Sequence, residues 1–293
     1  MSIQWYPGHM TKARRLIAES MPSQDVIIEV LDARMPASSA NPVVTELRQH
    51  RPCIKVLSKS DLADPEVTKA WLRYFATERA EPTKELPEGR VLALAVSTER
   101  LGEMRTKLPE LCKRVVLHPK GIYKTVRALV VGIPNVGKST IINALMGRRV
   151  ARVGDEPAVT KSQQQVVLKS GMTLCDNPGL LWPNLDDDAA ALRLALGGAI
   201  PDTALDYESV GLFGAEFFLW RYPERLMARF KLQELPPSAE ALLNEIGRRR
   251  GGLRAGGNID VHKAAGVLIH EFRAGKLGPI SLEDPPTSGL ASR

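Results

Sequence analysis

With 293 residues, 44% hydrophobic and 25% charged, the chain can form one large globular domain and a smaller one, each with its own core. No apolar run approaches the roughly 20 residues needed to cross a bilayer, and Met1 to Trp5 lacks the charged-then-apolar layout of a secretory signal, so a soluble, cytoplasmic protein is expected; it is also expected to be a monomer in solution. Cys53, Cys112 and Cys175 stand far apart in the sequence without any Cys-x-x-Cys spacing, so neither a zinc site nor a disulfide framework is suggested, and a net charge of +7 favours a polyanionic partner over an acidic one; neither a membrane nor DNA is the expected partner.

Up to about Pro183, short β-rich runs alternate with helical patterns, which is how a parallel-rich sheet flanked by helices reads. The strands are expected at Val26 to Leu31, Cys53 to Leu57, Val91 to Val96, Arg127 to Val131, Gln165 to Lys169 and Met172 to Cys175. Asn41-Pro42 and Asp64-Pro65 each set a capping side chain before a proline at the first helical position. Past residue 183 the strand signal disappears, and Val261, Ala265, Leu268 and Phe272 keep the spacing of one helix face. Residues 184–293 are therefore expected to form an all-α domain whose tail, from about residue 284, is disordered. The run Asp186 to Asp188 precedes an alanine-rich stretch and reads as helix N-terminal charge rather than a metal cluster. Residues Arg248 to Asn258 mix arginines with four glycines and predict a flexible basic loop between two helices.

The chemistry is carried by Gly132-Ile-Pro-Asn-Val-Gly-Lys-Ser-Thr140, which follows a predicted strand and opens a predicted helix. In that context the N–H groups of Asn135, Val136, Gly137, Lys138, Ser139 and Thr140 can cradle phosphates at a helix N-terminus. Lys138 would reach the β- and γ-phosphates and Ser139 would ligate Mg²⁺. Asp176-Asn-Pro-Gly179 ends a later strand, where Asp176 can hold Mg²⁺ and the Gly179 N–H can meet the γ-phosphate. Between them Thr160 is placed to supply a second Mg²⁺ oxygen, the alternative being an ordinary loop threonine. Base choice needs a carboxylate facing two N–H groups of guanine beside a lysine stem along the ring, and Ser58-Lys59-Ser60-Asp61 offers Asp61 and Lys59 in that order. Ser97-Thr98, after another strand, can present backbone N–H to the guanine oxygen. The base loops precede the phosphate loop, an order rotated relative to the more familiar nucleotide switches.

These residues, with Gln4-Trp-Tyr-Pro-Gly-His-Met-Thr-Lys-Ala-Arg-Arg15, Leu31-Asp-Ala-Arg-Met-Pro36 and Phe272-Arg-Ala-Gly-Lys-Leu-Gly278, resemble the circularly permuted GTPases, most closely the bacterial ribosome biogenesis GTPase A family. The resemblance implies a P-loop GTPase domain with circularly permuted motif order, followed by an all-α domain touching ribosomal RNA. It implies GTP hydrolysis to GDP on the maturing large ribosomal subunit, with Mg²⁺ and with K⁺ held by Asn135. An asparagine with backbone duties alone is the other reading of Asn135. Leu180 stands where many GTPases carry a water-positioning glutamine, so the resemblance points to His9 for that role; the alternative is a histidine capping a helix that begins near Met10. Two departures stand out: Ser58 where the family usually has Asn, which predicts weaker GTP binding with guanine preference kept by Asp61, and Ser97-Thr98 where it usually has Ser-Ala.

The basic excess near the C-terminus, with Arg248, Arg249, Arg250 and Arg254 on the glycine-rich loop and Lys263 on the next helix, predicts salt-sensitive contact with shaped RNA. Two other classes compete: an ATP-using enzyme, which would have no use for Ser58 to Asp61 as placed, and a nucleotide-regulated RNA-binding scaffold with negligible hydrolysis, to which Leu180 lends weight.

Overall fold

The computed structural model describes residues 7–49, 51–77, 91–116, 125–147, 164–177, 179–181, 187–252 and 258–286. Thr160, Arg254, the start of the N-terminal motif at Gln4 to Tyr6 and the tail from Thr287 lie outside them. Two units are resolved, one comprising Met1–Leu185 with Glu283–Arg293 and the other Asp186–Leu282.

The first unit is built on β1 (Val26–Asp32), β2 (Cys53–Ser58), β3 (Val91–Ala95), β4 (Arg127–Val131), β5 (Gln164–Val167) and β6 (Thr173–Asp176). Each lies within a residue or two of its expected position. The six form one sheet in the order β3-β2-β1-β4-β6-β5. All neighbours are parallel except β5 and β6, which pair antiparallel through a turn at Gly171, where φ is +79°. Around the sheet run α1 (Pro7–Ser20), α2 (Pro36–Ser39), α3 (Pro42–Arg48), α4 (Pro65–Thr77), α5 (Leu101–Val115) and α6 (Lys138–Met146). The two proline-started helices begin as expected: Asn41 accepts from the Val43 N–H, and Asp64 accepts from the Glu66 N–H at 2.9 Å.

Every residue of β1 and β2 is buried, the condition of central strands covered on both faces. One core cluster gathers Ala13 and Ile17 of α1 with Ile27, Leu129, Val131, Cys175 and Leu180; another packs Trp71 and Phe75 of α4 against Leu31 and Leu57. All three cysteines are free and buried. Burial pushes the Cys112 thiol up to about 12, so it behaves as a small apolar side chain. Glu283 belongs with this unit rather than with the helices that precede it. Its carboxylate accepts from the Ser38 N–H at 2.9 Å and the Ser38 hydroxyl at 2.6 Å, and its carbonyl accepts from the Trp71 indole N–H at 3.2 Å.

The second unit contains α7 (Asp188–Gly197), α8 (Tyr207–Arg221), α9 (Pro223–Phe230), α10 (Ala239–Arg249) and α11 (Val261–Arg273). Asp187 caps α7 by accepting from the Ala189 N–H and Asp188 sits in its first turn, the helix-start role read from the sequence. Gly211 of α8 lets α11 approach closely, since a Cβ there would lie 2.4 Å from the Ala265 Cβ.

Candidate nucleotide-binding site

Parallel strands β1 and β4 lie side by side, yet the chain leaves β1 toward β2 on one side while β4 leads, through α6, toward β6 on the other. The loops beyond their carboxyl ends therefore diverge, leaving the crevice in which open α/β sheets hold ligands. The phosphate loop begins there. Gly132 has φ +152°, and a Cβ on it would lie 2.5 Å from the Val30 carbonyl oxygen, so the backbone hugs β1 in a way only glycine permits. Asn135 is left-handed at φ +56° and Gly137 at φ +101°, and α6 begins at Lys138. Asparagine tolerates that conformation better than most residues, which gives Asn135 a backbone reason to be present.

Lys138 is buried, and its ammonium donates to the carbonyls of Gly132 at 3.1 Å and Ile133 at 2.7 Å, curled into the concavity of its own loop. Burial lowers its pKa to about 8, with Asp176 pulling the other way. Gly179 closes the loop from the opposite side: a Cβ on it would lie 2.9 Å from the backbone of Pro134 and 3.1 Å from the Lys138 ammonium. The Leu180 N–H donates to the Gly132 carbonyl at 3.2 Å. Ser139 and Thr140 sit half-buried in the first turn of α6.

Asp176 ends β6 with 2% of its surface exposed, and neither carboxylate oxygen has a hydrogen-bond partner of good geometry. Burial raises its pKa to about 6, opposed by Lys138 and by the Asn177 N–H. An unsatisfied buried carboxylate is costly unless a cation belongs beside it. The residues present thus fit Mg²⁺, which Asp176 and Ser139 would hold and which would neutralise charge on the β- and γ-phosphates. Among the described residues no group of three or more His, Cys, Asp and Glu side chains could hold a metal ion.

The loop that follows β2 is tied directly to the phosphate loop. The Ser58 hydroxyl, buried at the end of β2, lies within hydrogen-bond reach of the Leu31 carbonyl at 2.9 Å and of the Val136 carbonyl. Serine thus links the end of β2 to the phosphate loop, with one proton for two acceptors. Lys59 is left-handed at φ +55°, and its ammonium donates to Asp32 at 2.9 Å. Asp32 in turn takes both arms of Arg34, at 2.9 and 2.8 Å, in a pair only 2% exposed. Burial alone would raise the Asp32 carboxyl, but Arg34 and Lys59 together hold it well below the ordinary carboxylate range. The Ser60 N–H donates to the Val96 carbonyl at 3.2 Å, joining this loop to the end of β3. Asp61 accepts from the Thr98 N–H at 2.9 Å and from the Thr98 hydroxyl at 3.0 Å, while the Ser97 hydroxyl accepts from the Glu99 N–H. Of the Ser97-Thr98 loop, whose backbone N–H was expected to be available to a guanine oxygen, the Thr98 N–H is directed at Asp61.

Asp32 was given no role of its own in the sequence reading, although it lies in the Leu31 to Pro36 segment that carries the family resemblance. Its signal was there, as a carboxylate ending an otherwise apolar strand two residues before an arginine. His9 is the third residue of α1, which begins at Pro7 rather than near Met10, so its backbone lies inside the helix and not at its cap. It stands one turn before Ala13, which packs in the same cluster as Leu180. Leu180 is 3% exposed and belongs to that core.

The basic residues of the second unit are arranged differently from the expected loop. Arg248 and Arg249 continue α10 to its last turn, where both pair with Glu245. Arg249 also donates to the Phe230 and Lys231 carbonyls, and the Arg250 guanidinium lies 5.9 Å from the Phe230 ring centroid. Lys263 is on the following helix as expected, its ammonium donating to the Gly251 carbonyl at 2.7 Å. The reason is local: Leu242, Leu243 and Ile246 form a buried stripe, and Glu245 supports Arg249 one turn later, so helix formation outlasts the start of the arginine run.

Residues 127–199 match the family described as 50S ribosome-binding GTPase. The chain is 42% identical to the ribosome biogenesis GTPase A of Bacillus licheniformis, over 97% of this chain and 99% of that one. It is 30% identical to the mitochondrial ribosome-associated GTPase 1 of Mus musculus, over 96% of this chain and 90% of that one. Among solved structures, the GNP-bound YlqF from T. maritima superposes with a TM-score of 0.63 at 28% identity, covering 94% of this chain and 99% of the other. Similarity that runs from end to end, and includes the phosphate loop and Asp176 to Gly179, places this chain in the ribosome biogenesis GTPase A family.

Proposed function

We propose that the chain is a GTP-hydrolysing assembly factor of the large ribosomal subunit, acting in the cytoplasm as a monomer and coupling its nucleotide state to docking on ribosomal RNA. The observation that carries this reading is the junction at Lys138, where the phosphate loop, Gly179 and the buried carboxylate of Asp176 converge while Ser58 ties in the guanine-reading loop. The family match and the names of the relatives supply the ribosomal partner.

In this reading the loop N–H groups and Lys138 bind and orient the triphosphate, and Gly179 meets its terminal phosphate. His9 orients the attacking water, a task Leu180 cannot perform from the core. Asn135 contributes to a K⁺ site, and Thr160 to the Mg²⁺ shell. Arg248, Arg249, Arg250, Arg254 and Lys263 make the RNA contact. Exposed ion pairs such as that of Arg248 with Glu245 are worth about 0–1 kcal/mol, so Arg248 can exchange Glu245 for a phosphate at little cost, whereas Arg249 would also give up the Phe230 and Lys231 carbonyls.

The test is GTP turnover with purified large subunits added or withheld, at two salt concentrations. Turnover should rise with subunits and the rise should shrink steeply with salt; turnover indifferent to subunits would reject the ribosomal role. Equal rates in KCl and NaCl would remove K⁺ from the scheme.

A further inference from the structure

Two polar groups of one residue are committed to the carboxylate that chooses the base. The Thr98 N–H donates to Asp61 Oδ1 at 2.9 Å and the Thr98 hydroxyl donates to Asp61 Oδ2 at 3.0 Å, so a single side chain and its backbone engage both oxygens. The geometry around them is firm. Ser97 accepts from the Glu99 N–H to start the turn of Thr98–Arg100, and the Val96 N–H donates to the Leu57 carbonyl, fixing the turn to the sheet edge that carries Ser58 to Asp61.

A guanine edge presents two N–H donors, and a carboxylate that reads them must offer both oxygens in one plane. An alanine at position 98 would supply no hydroxyl, and its N–H would be freer to turn toward the base oxygen. With threonine there, the hydroxyl holds one of the lone-pair sites of Asp61 Oδ2 that a guanine donor could use, and a hydrogen bond to a charged acceptor is worth more than a neutral one. The hydroxyl thus competes for the same acceptor as the ligand.

We propose that Thr98 is an affinity-setting residue of the guanine subsite, which caps Asp61 in competition with the base and so hastens nucleotide release. The proposal rests on the guanine-binding reading given above. Thr98 is exposed, so its replacement leaves the core untouched. Its effect also has a chemical signature that a merely structural residue would lack. Hypoxanthine carries one of the two N–H donors of guanine, so an inosine nucleotide can bind with one Asp61 oxygen still capped by the hydroxyl.

The test compares release of GDP and IDP from the full-length chain and from Thr98→Ala and Thr98→Ser, by stopped-flow with fluorescent nucleotides and excess Mg²⁺. Thr98→Ala should slow GDP release about 5- to 10-fold, the size of one competing hydrogen bond, and slow IDP release by no more than about twofold. Thr98→Ser, which keeps the hydroxyl, should match the unaltered chain. GDP release unchanged by Thr98→Ala, or slowed equally for both bases, overturns the proposal while guanine binding stands. An unaltered chain that binds GDP no better than ADP overturns the guanine reading and the proposal with it.

Discussion

Replacing Asp176 with asparagine should make the nucleotide-free protein more stable while abolishing its response to Mg²⁺. The carboxylate is 2% exposed and its oxygens lack hydrogen-bond partners of good geometry, so its charge is carried at a loss in the absence of a cation. A pKa raised from 3.8 to about 6 corresponds to about 3 kcal/mol against the charged form. Part of that is returned, because Lys138 loses its neighbouring anion and the new amide must find partners of its own. A net gain of about 1–2 kcal/mol remains, equivalent to about 2–8 °C in melting temperature. The sign with pH follows from the direction of the shift. Below an ordinary carboxylate pKa both folded and unfolded chains are protonated at this position and the penalty is absent; it accumulates as pH rises from about 4 to about 6 and is complete above. Melting curves of Asp176→Asn and the unaltered chain, in EDTA and without nucleotide, should therefore differ about a third as much at pH 4.5 as at pH 7.5. With GDP at about a hundred times its Kd the unaltered chain should gain about 2.7 kcal/mol, with a Mg²⁺-dependent portion missing in the variant. A variant less stable at pH 7.5, or one equally responsive to Mg²⁺, would refute the assignment of Asp176.

His9→Ala should leave GTP affinity within about twofold and slow turnover at least about tenfold, consistent with loss of a water-orienting group; single-turnover measurement checks it, and unchanged turnover removes the role. Gly132→Ala forces a Cβ to 2.5 Å from the Val30 carbonyl at φ +152°, which should cost about 2–5 kcal/mol by strain and overpacking together and lower the urea midpoint accordingly. Asp61→Asn should shift preference from guanine toward xanthine nucleotides by at least about tenfold, since the amide presents a donor where the carboxylate only accepts; competition for a labelled nucleotide reads this directly.

The strands were legible because buried parallel strands read as continuous apolar runs, and the helix starts at Asn41 and Asp64 because the cap and the proline are adjacent in the chain. The phosphate loop was legible for the same reason: its glycines, lysine and flanking elements are contiguous. What escaped depends on partners distant in sequence. That Thr98 faces Asp61, 37 residues earlier, and that Asp32 holds Lys59, 27 residues later, follows only from strand order. The arginine run at 248–250 misled because the following glycines suggested a loop, while the buried stripe behind it and Glu245 carried the helix onward. The antiparallel β5 was hidden because a four-residue edge strand has the same composition either way up.

Glu283 bears on when the nucleotide-binding unit becomes complete during synthesis. Its carboxylate satisfies both polar groups of Ser38, and its carbonyl receives the indole proton of Trp71, a ring otherwise sealed in the core. A nascent chain that has already exposed every strand of the sheet still lacks these three hydrogen bonds until the residues that follow α11 have left the translating ribosome. The unit that handles nucleotide is thereby fastened only after the helices that interrupt it have been made.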